Sequence, residues 1–196
     1  MIKAIVFDLG GVVYSADFYR FVENACIKHG KEFTKFFEEF RDGWNKTKVD
    51  KMSCADFYKL IADRIGCSIE EAKSYLVGIK LDERIKKLIL DLKKNYKIGI
   101  LTNTIEDMYK KELELWNFEE IAEAVVSNRD KVKKPDNESI DLIIKKLGVE
   151  KDEIVFVDDS ERTIEAYSKY GIKCIKFENY EQLAEDLKKL GVEVGG

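Results

Sequence analysis

Histidine and proline are nearly missing from this chain, each occurring once in 196 residues. With His29 alone, Ser-His-Asp, Cys-His and multi-histidine metal chemistry are disfavoured, so any catalysis is expected to run on carboxylates, lysine and hydroxyls. His29 stands beside Gly30 in a charged stretch, a place for a helix end rather than a ligand. Cysteine is sparse too. Cys26, Cys54, Cys67 and Cys174 form no C-x-x-C pair and match no zinc spacing. They read as small, mostly buried hydrophobes with reduced thiols. No apolar run is long enough to span a membrane, and the first residues form a strand pattern rather than a signal peptide. There is no basic excess: the net charge is −4, with 37% of residues charged. These absences argue for a cytoplasmic protein with neither nucleic acid nor membrane as partner, a monomer or a homodimer.

What is present is periodic. Short apolar runs at 2–7 (IKAIVF), 97–101 (KIGIL), 123–126 (EAVV), 153–157 (EIVFV) and 172–177 (IKCIKF) read as buried strands. Helical spacing separates them: Ile85, Leu88, Ile89 and Leu92, then Ile140, Ile143, Ile144 and Leu147 ahead of Gly148, then Leu183, Leu187 and Leu190. This alternation predicts an α/β fold, a Rossmann-like doubly wound parallel sheet of about five strands. Residues 14–81 break the pattern, with aromatic-rich helical stretches and no convincing strand. Phe18, Tyr19, Phe21, Phe33, Phe36, Phe37, Phe40, Trp44, Phe57 and Tyr58 are expected to build mostly the insert's own small core. Ser68 to Glu71 has a capping-box spacing. The division expected is a core of 1–13 and 82–196 with a small all-helical cap domain at 14–81, inserted after the first strand. The terminal VEVGG is expected to fray.

Ligands of open parallel sheets bind beyond the carboxyl ends of the strands. The first strand runs into Asp8, the second into Thr102-Asn103-Thr104, the third through a loop into Lys133-Lys134-Pro135-Asp136, and the fourth into Asp158-Asp159-Ser160. Singly, most of these have plain readings as helix caps, turns or solvated surface. Together, each at a strand end, they place carboxylates, a hydroxyl, an amide and an ammonium on one rim. Two carboxylates with backbone carbonyls suit Mg²⁺, and a metal beside a lysine and free N–H groups suits a phosphoryl group. Asp8 is then placed to attack phosphorus, with Gly10 and Gly11 letting the backbone approach the oxyanion.

In order, IVFDLGGVV, ILTNT, KKPD and VFVDDS resemble the four motifs of the haloacid dehalogenase-like superfamily, spread from residue 5 to residue 160. The wording is most similar to phosphatase-type members with a helical cap, such as glucose-1-phosphatase-like enzymes. The resemblance implies a Mg²⁺-dependent phosphatase acting on a small phosphorylated metabolite through an aspartyl-phosphate. It implies Asp8 as nucleophile, and Thr102 with Asn103 beside it at the phosphoryl oxygens. It implies Lys134 as the lysine that steadies the charge, with Lys133 left open by spacing. The metal would be held by Asp8, the Gly10 carbonyl and Asp159, with Asp158 behind them as a supporting partner. The cap's hinges would lie near 13–16 and 79–82.

Position 10 departs from the pattern. The family's phosphatases carry an aspartate there, which protonates the leaving alcohol, although glucose-1-phosphatase-like members resemble this chain in carrying glycine. Loss of a general acid costs about 10²–10⁴ in rate, more for alkoxide leaving groups than for acyl, aryl or sugar 1-phosphates. Two further readings stand beside the phosphatase: a non-catalytic phosphate- or metal-binding relative, and, ranked lowest, a metal-free haloacid dehalogenase that would leave Asp158-Asp159 surplus. The Gly10→Asp variant is expected to raise turnover of alkyl phosphates selectively. A folded variant with no gain in a phosphate-release assay would show that more than the acid has been lost.

Overall fold

A computed structural model describes residues 1–15, 18–77 and 79–195, apart from the side chains of 18–20 and 76–77. Five parallel strands run β1 (Ala4–Phe7), β2 (Lys97–Thr102), β3 (Glu123–Val126), β4 (Ile154–Asp158) and β5 (Lys173–Lys176). They are ordered β3-β2-β1-β4-β5. The expected α/β fold is therefore the observed one. β1 is central and buried throughout, and its alternate residues serve opposite faces. Ile5 and Phe7 join the cluster under α5 (Glu83–Leu92), α6 (Glu106–Leu115) and α10 (Tyr180–Lys189). Ala4 and Val6 join the one under α8 (Asn137–Leu147) and α9 (Glu161–Lys169). Helices thus cover both faces, as a sheet apolar on both sides requires.

Local chemistry sets the helix ends. Asp82 caps α5 through Arg84 N and Ile85 N, and Ser160 caps α9 through Thr163 N. Gly148 ends α8 in the left-handed conformation. Gly99 in β2 sits close against α8. A Cβ there would lie 3.0 Å from Leu147 Cδ1 and 3.1 Å from both Ile143 Cγ1 and Val6 Cγ2.

Between β1 and α5 the described residues form the helices α1 (Phe18–Lys28), α2 (Phe37–Thr47), α3 (Cys54–Ile65) and α4 (Ile69–Val77). The chain leaves and re-enters the core through two connections that pair with each other. Tyr14 bridges Leu81, Ser15 N donates to Lys80 O at 2.9 Å and Asp82 N donates to Val13 O at 2.9 Å. The aromatic side chains do not form a separate island. Phe40, Trp44, Phe57 and Tyr58 are buried in one cluster continuous with the sheet face. The side chains of Phe18 and Tyr19 lie outside the described residues, as does residue 16 of the first expected hinge. His29 follows α1 directly and, with Lys28 and Tyr75, donates to Glu71 Oε1. Glu71 N is bonded to Ser68 Oγ, so half of the expected capping box forms.

Three expectations need correction. Leu190 lies past the end of α10 and is 37% exposed, because the helix stops before presenting it inward. The tail does not simply fray: Val192 is buried and Glu193 N donates to Tyr96 Oη at 2.9 Å. Of the cysteines only Cys26 is fully buried, and all four are free thiols.

The Gly99→Val variant is expected to be destabilised by about 1–3 kcal/mol, since the extra carbons must displace Leu147, Ile143 and Val6. Urea unfolding would measure it; an unchanged midpoint would show that α8 lifts from the sheet without cost.

Candidate active site

The site begins where β1 and its two neighbours end. Asp8 N donates to Val157 O at 2.9 Å, which holds the carboxylate beside the end of β4. Its side chain is 11% exposed, and Lys134, whose side chain is 4% exposed, reaches Asp8 Oδ1 at 2.7 Å. The Leu9 N–H donates to the same oxygen at 2.7 Å. Asp8 Oδ2 has no such donor among the described residues and is the oxygen left for a ligand. The chain then turns tightly, with Val13 N and Tyr14 N both donating to Leu9 O. Gly11 has φ +78°, and a Cβ there would stand 2.1 Å from Asp159 Oδ2. A side chain at position 11 and the Asp159 carboxylate therefore exclude each other.

The Lys134 ammonium also donates to Asp158 Oδ2 at 2.6 Å, and that carboxylate is wholly buried. Asp158 Oδ1 accepts the Ser160 N–H at 2.8 Å. Both Asp158 oxygens are thus engaged, whereas the Asp159 side chain stands exposed at the rim. Lys134 is itself held from β2. Asn103 Nδ2 donates to Lys134 O at 3.0 Å, and Lys134 N donates to Asn103 Oδ1 at 2.9 Å. Asn103, expected beside the phosphoryl group, uses its amide as a clamp on the lysine's peptide. Thr102 is buried at the strand end. Lys133 is exposed and outside the ion network, so the geometry brings Lys134, not Lys133, to Asp8.

Burial pushes the Asp8 carboxyl up, to about 7, with Asp158 and Asp159 adding to the effect and Lys134 opposing it. Burial works to lower Lys134, but the carboxylates of Asp158 and Asp8 outweigh it and raise the ammonium. Asp8, Asp158 and Asp159 each place a carboxylate oxygen within 4.8 Å of the others. Three carboxylates facing one lysine leave excess negative charge, and all the donors are hard oxygens, so the set fits Mg²⁺. An open cleft of about 530 Å³ lined by Lys97, Ile98, Glu123 and Leu147 lies at the opposite, amino ends of β2 and β3, away from this chemistry.

Two features escaped the sequence reading. Glu112 on α6 is 1% exposed, and its Oε2 has no hydrogen-bond partner among the described residues. Burial raises its carboxyl well above the ordinary range, and the charge of Asp8 adds to this. Its signal was there, an acid at helical spacing from the buried Met108 and Tyr109. The second feature is Lys48, partly buried just after α2, whose ammonium is pushed down to about 8 by burial first and then by the positive charges of Lys134, Lys133 and Arg162. No motif marks it.

The model of the haloacid dehalogenase-like hydrolase family matches residues 5–177. The chain is 29% identical over 205 aligned positions to a D-ribitol-5-phosphate phosphatase of Bacteroides thetaiotaomicron, covering 91% of this chain and 93% of that one. A HAD family enzyme of the same organism, solved in complex with magnesium and inorganic phosphate, superimposes with a TM-score of 0.77 at 22% identity, covering 93% of this chain and 99% of that one. An L-2-haloacid dehalogenase from Xanthobacter autotrophicus is less similar, with a TM-score of 0.61 at 19% identity over 98% of this chain and 85% of that one. Among the described residues, no helix is long and apolar enough to cross a membrane.

Glu112 generates a pH prediction. Its carboxyl is neutral in the folded chain and ionises at ordinary pH once unfolded, so its contribution is complete in acid and erodes as pH rises through the ordinary carboxylate range. Glu112→Gln has no proton to lose. Its stability relative to the parent is expected to grow from pH 4 towards pH 8 in urea unfolding; parallel pH profiles would contradict the assignment.

Proposed function

This chain belongs to the haloacid dehalogenase-like hydrolase family, and we propose that it is a Mg²⁺-dependent phosphatase that hydrolyses a small phosphorylated metabolite through an aspartyl-phosphate on Asp8. The observation that carries the reading is the asymmetry of the Asp8 carboxylate. Oδ1 is held by the Lys134 ammonium and the Leu9 N–H, which orients the group and leaves Oδ2 to attack. The relative named as a sugar-alcohol phosphate phosphatase, and the similar fold seen with magnesium and phosphate, support it.

Each rim residue then has a task. Lys134 offsets negative charge on Asp8 and on the phosphoryl oxygens, and Asn103 fixes its backbone so that the ammonium cannot swing away. Thr102, Gly10 and Gly11 line the oxyanion's approach, the glycines leaving their backbone open to it. Asp8, the Gly10 carbonyl and Asp159 would hold Mg²⁺, with Asp158 supporting Lys134 behind them. When bound, the metal supplies positive charge to the phosphoryl oxygens and lowers the repulsion among the three carboxylates. The segment 14–81 acts as a cap that excludes water and meets the organic part of the substrate, hinged near 13–16 and 79–82.

Phosphate release from an aryl phosphate is expected with Mg²⁺ and not with EDTA. Asp8→Asn is expected to lower it about 10³-fold or more with the fold intact, and Asp159→Asn to raise the Mg²⁺ concentration required. Near-parental turnover by Asp8→Asn would rule out the covalent route. Halide release from a 2-haloacid in place of phosphate release would move the assignment to a dehalogenase.

A further inference from the structure

His29 is the chain's one histidine, and the sequence offers it no metal-binding partner at a recognisable spacing. The fold supplies two. A ring nitrogen of His29, the Cys67 sulfur and a carboxylate oxygen of Glu71 all lie within 4.8 Å of one another. Each comes from a different segment of the helical insert, and each is fixed at a helix end. His29 directly follows α1 with its N–H bonded to Ala25 O, and Gly30 closes the turn at φ +64°. Cys67 directly follows Gly66, the left-handed residue that ends α3, and its N–H is bonded to Ala62 O. Glu71 stands in the first turn of α4, its N–H bonded to Ser68 Oγ. The backbone of all three is therefore held before any ligand arrives.

The side chains already face one another. His29 Nε2 is 3.1 Å from Glu71 Oε1 and 3.4 Å from Tyr75 Oη, and Tyr75 Oη donates to the same carboxylate oxygen at 2.6 Å. Bonds of about 2.0–2.3 Å around a tetrahedral zinc ion set neighbouring ligand atoms about 3.3–3.8 Å apart, so small side-chain rotations suffice. All three residues are partly buried, within reach of solvent. Hydrogen bonds from Tyr75, Lys28 and His29 pull the Glu71 carboxyl down to about 2, so it is an anion at neutral pH. Burial first, then the charge of Glu71, push the Cys67 thiol up, so it keeps its proton until a cation displaces it. The Lys28 ammonium, 2.9 Å from Glu71 Oε1, is a competitor. Its side chain is 63% exposed, and exposed pairs stabilise little, so a divalent ion with three ligands displaces it at small cost.

We propose that His29, Cys67 and Glu71 bind a zinc ion that ties the ends of α1 and α3 to the start of α4. The donors are nitrogen, sulfur and oxygen, a mixed set that suits Zn²⁺ and not Mg²⁺. On binding, the Cys67 S–H proton passes to solvent and the sulfur electron pair bonds the metal. The His29 ring binds through an unprotonated nitrogen, and Lys28 turns out to water. Tyr75, through its bond to Glu71, orients the carboxylate from behind. The site shares no residue with the strand-end carboxylates, and the inference stands whether or not the phosphatase reading does.

The test uses the full chain, kept reduced, freed of metal with a chelator and then titrated with Co²⁺, a spectroscopic stand-in for Zn²⁺, in excess Mg²⁺. Stoichiometric Co²⁺ is expected to give a thiolate-to-metal charge-transfer band, which the all-oxygen strand-end site cannot give, and Zn²⁺ is expected to abolish it. Cys67→Ser should lose the band. His29→Ala should weaken binding more than about 10²-fold, since even groups behind the ligands matter by about 10–100-fold. Lys28→Ala, which removes the competing charge, should tighten it. Zn²⁺ should raise the thermal unfolding midpoint of the parent but not of Cys67→Ser or His29→Ala, whose midpoints in chelator report their fold. A band absent from the parent, or one that Cys67→Ser retains through Cys26, Cys54 or Cys174, would overturn the proposal. So would a folded His29→Ala that binds as tightly as the parent, or a parent whose unfolding Zn²⁺ leaves unchanged.

Discussion

The buried ammonium of Lys134 between the carboxylates of Asp8 and Asp158 is the interaction on which the rest of the site depends. Removing one partner of a buried pair costs about 3–5 kcal/mol, because the other charge is left uncompensated. Here a single lysine serves two carboxylates that the sheet forces together, since β1 and β4 are adjacent, Asp8 directly follows β1 and Asp158 ends β4. The surface pairs of this protein, many at i,i+3 or i,i+4 on exposed helix faces, are a different matter and stabilise little. Lys134 is not held by charge alone. The double hydrogen bond from Asn103 fixes its backbone to the end of β2, so three neighbouring strands and one loop share a single electrostatic centre.

From that centre the chemistry follows. Asp8 Oδ1 and both Asp158 oxygens are engaged by Lys134, the Leu9 N–H and the Ser160 N–H, whereas the Asp159 side chain is exposed at the rim. Gly11 keeps the space in which the Asp159 carboxylate lies. The charge of Asp8 reaches further, into the core, where it adds to the burial that keeps Glu112 neutral.

The helical insert is packed onto the core rather than standing apart from it. Its aromatic residues pack into the same cluster as the sheet face, and Lys73 and Tyr58 meet Asp107 at the start of α6. Packing of that kind carries the insert over the strand ends while the paired connections at Val13–Ser15 and Lys80–Asp82 tie its base.

Much of this was legible in the sequence. The five strands, the flanking helices and the polar residue at each strand end are local patterns of hydrophobicity and turn chemistry, and local patterns are what a sequence displays. Asp8, Thr102, Lys134 and Asp159 were singled out in this way, and the fold places them at neighbouring strand ends. The sequence left Lys133 and Lys134 equivalent, because both precede Pro135 and spacing does not distinguish them. Asn103, thirty-one residues away, makes the choice through hydrogen bonds. It likewise left Asp158 and Asp159 as a bare pair, and only strand pleat and burial turned one inward to the lysine and the other outward to the rim. Leu190 kept helical spacing but fell beyond the helix end, and the terminal residues were held by Tyr96 from another part of the chain. The sequence by itself determined which residue types stand at each strand end, because periodicity and turns are local. Which of them share a proton, a charge or a partner was decided by tertiary structure, because electrostatics and burial act between residues that the chain keeps far apart.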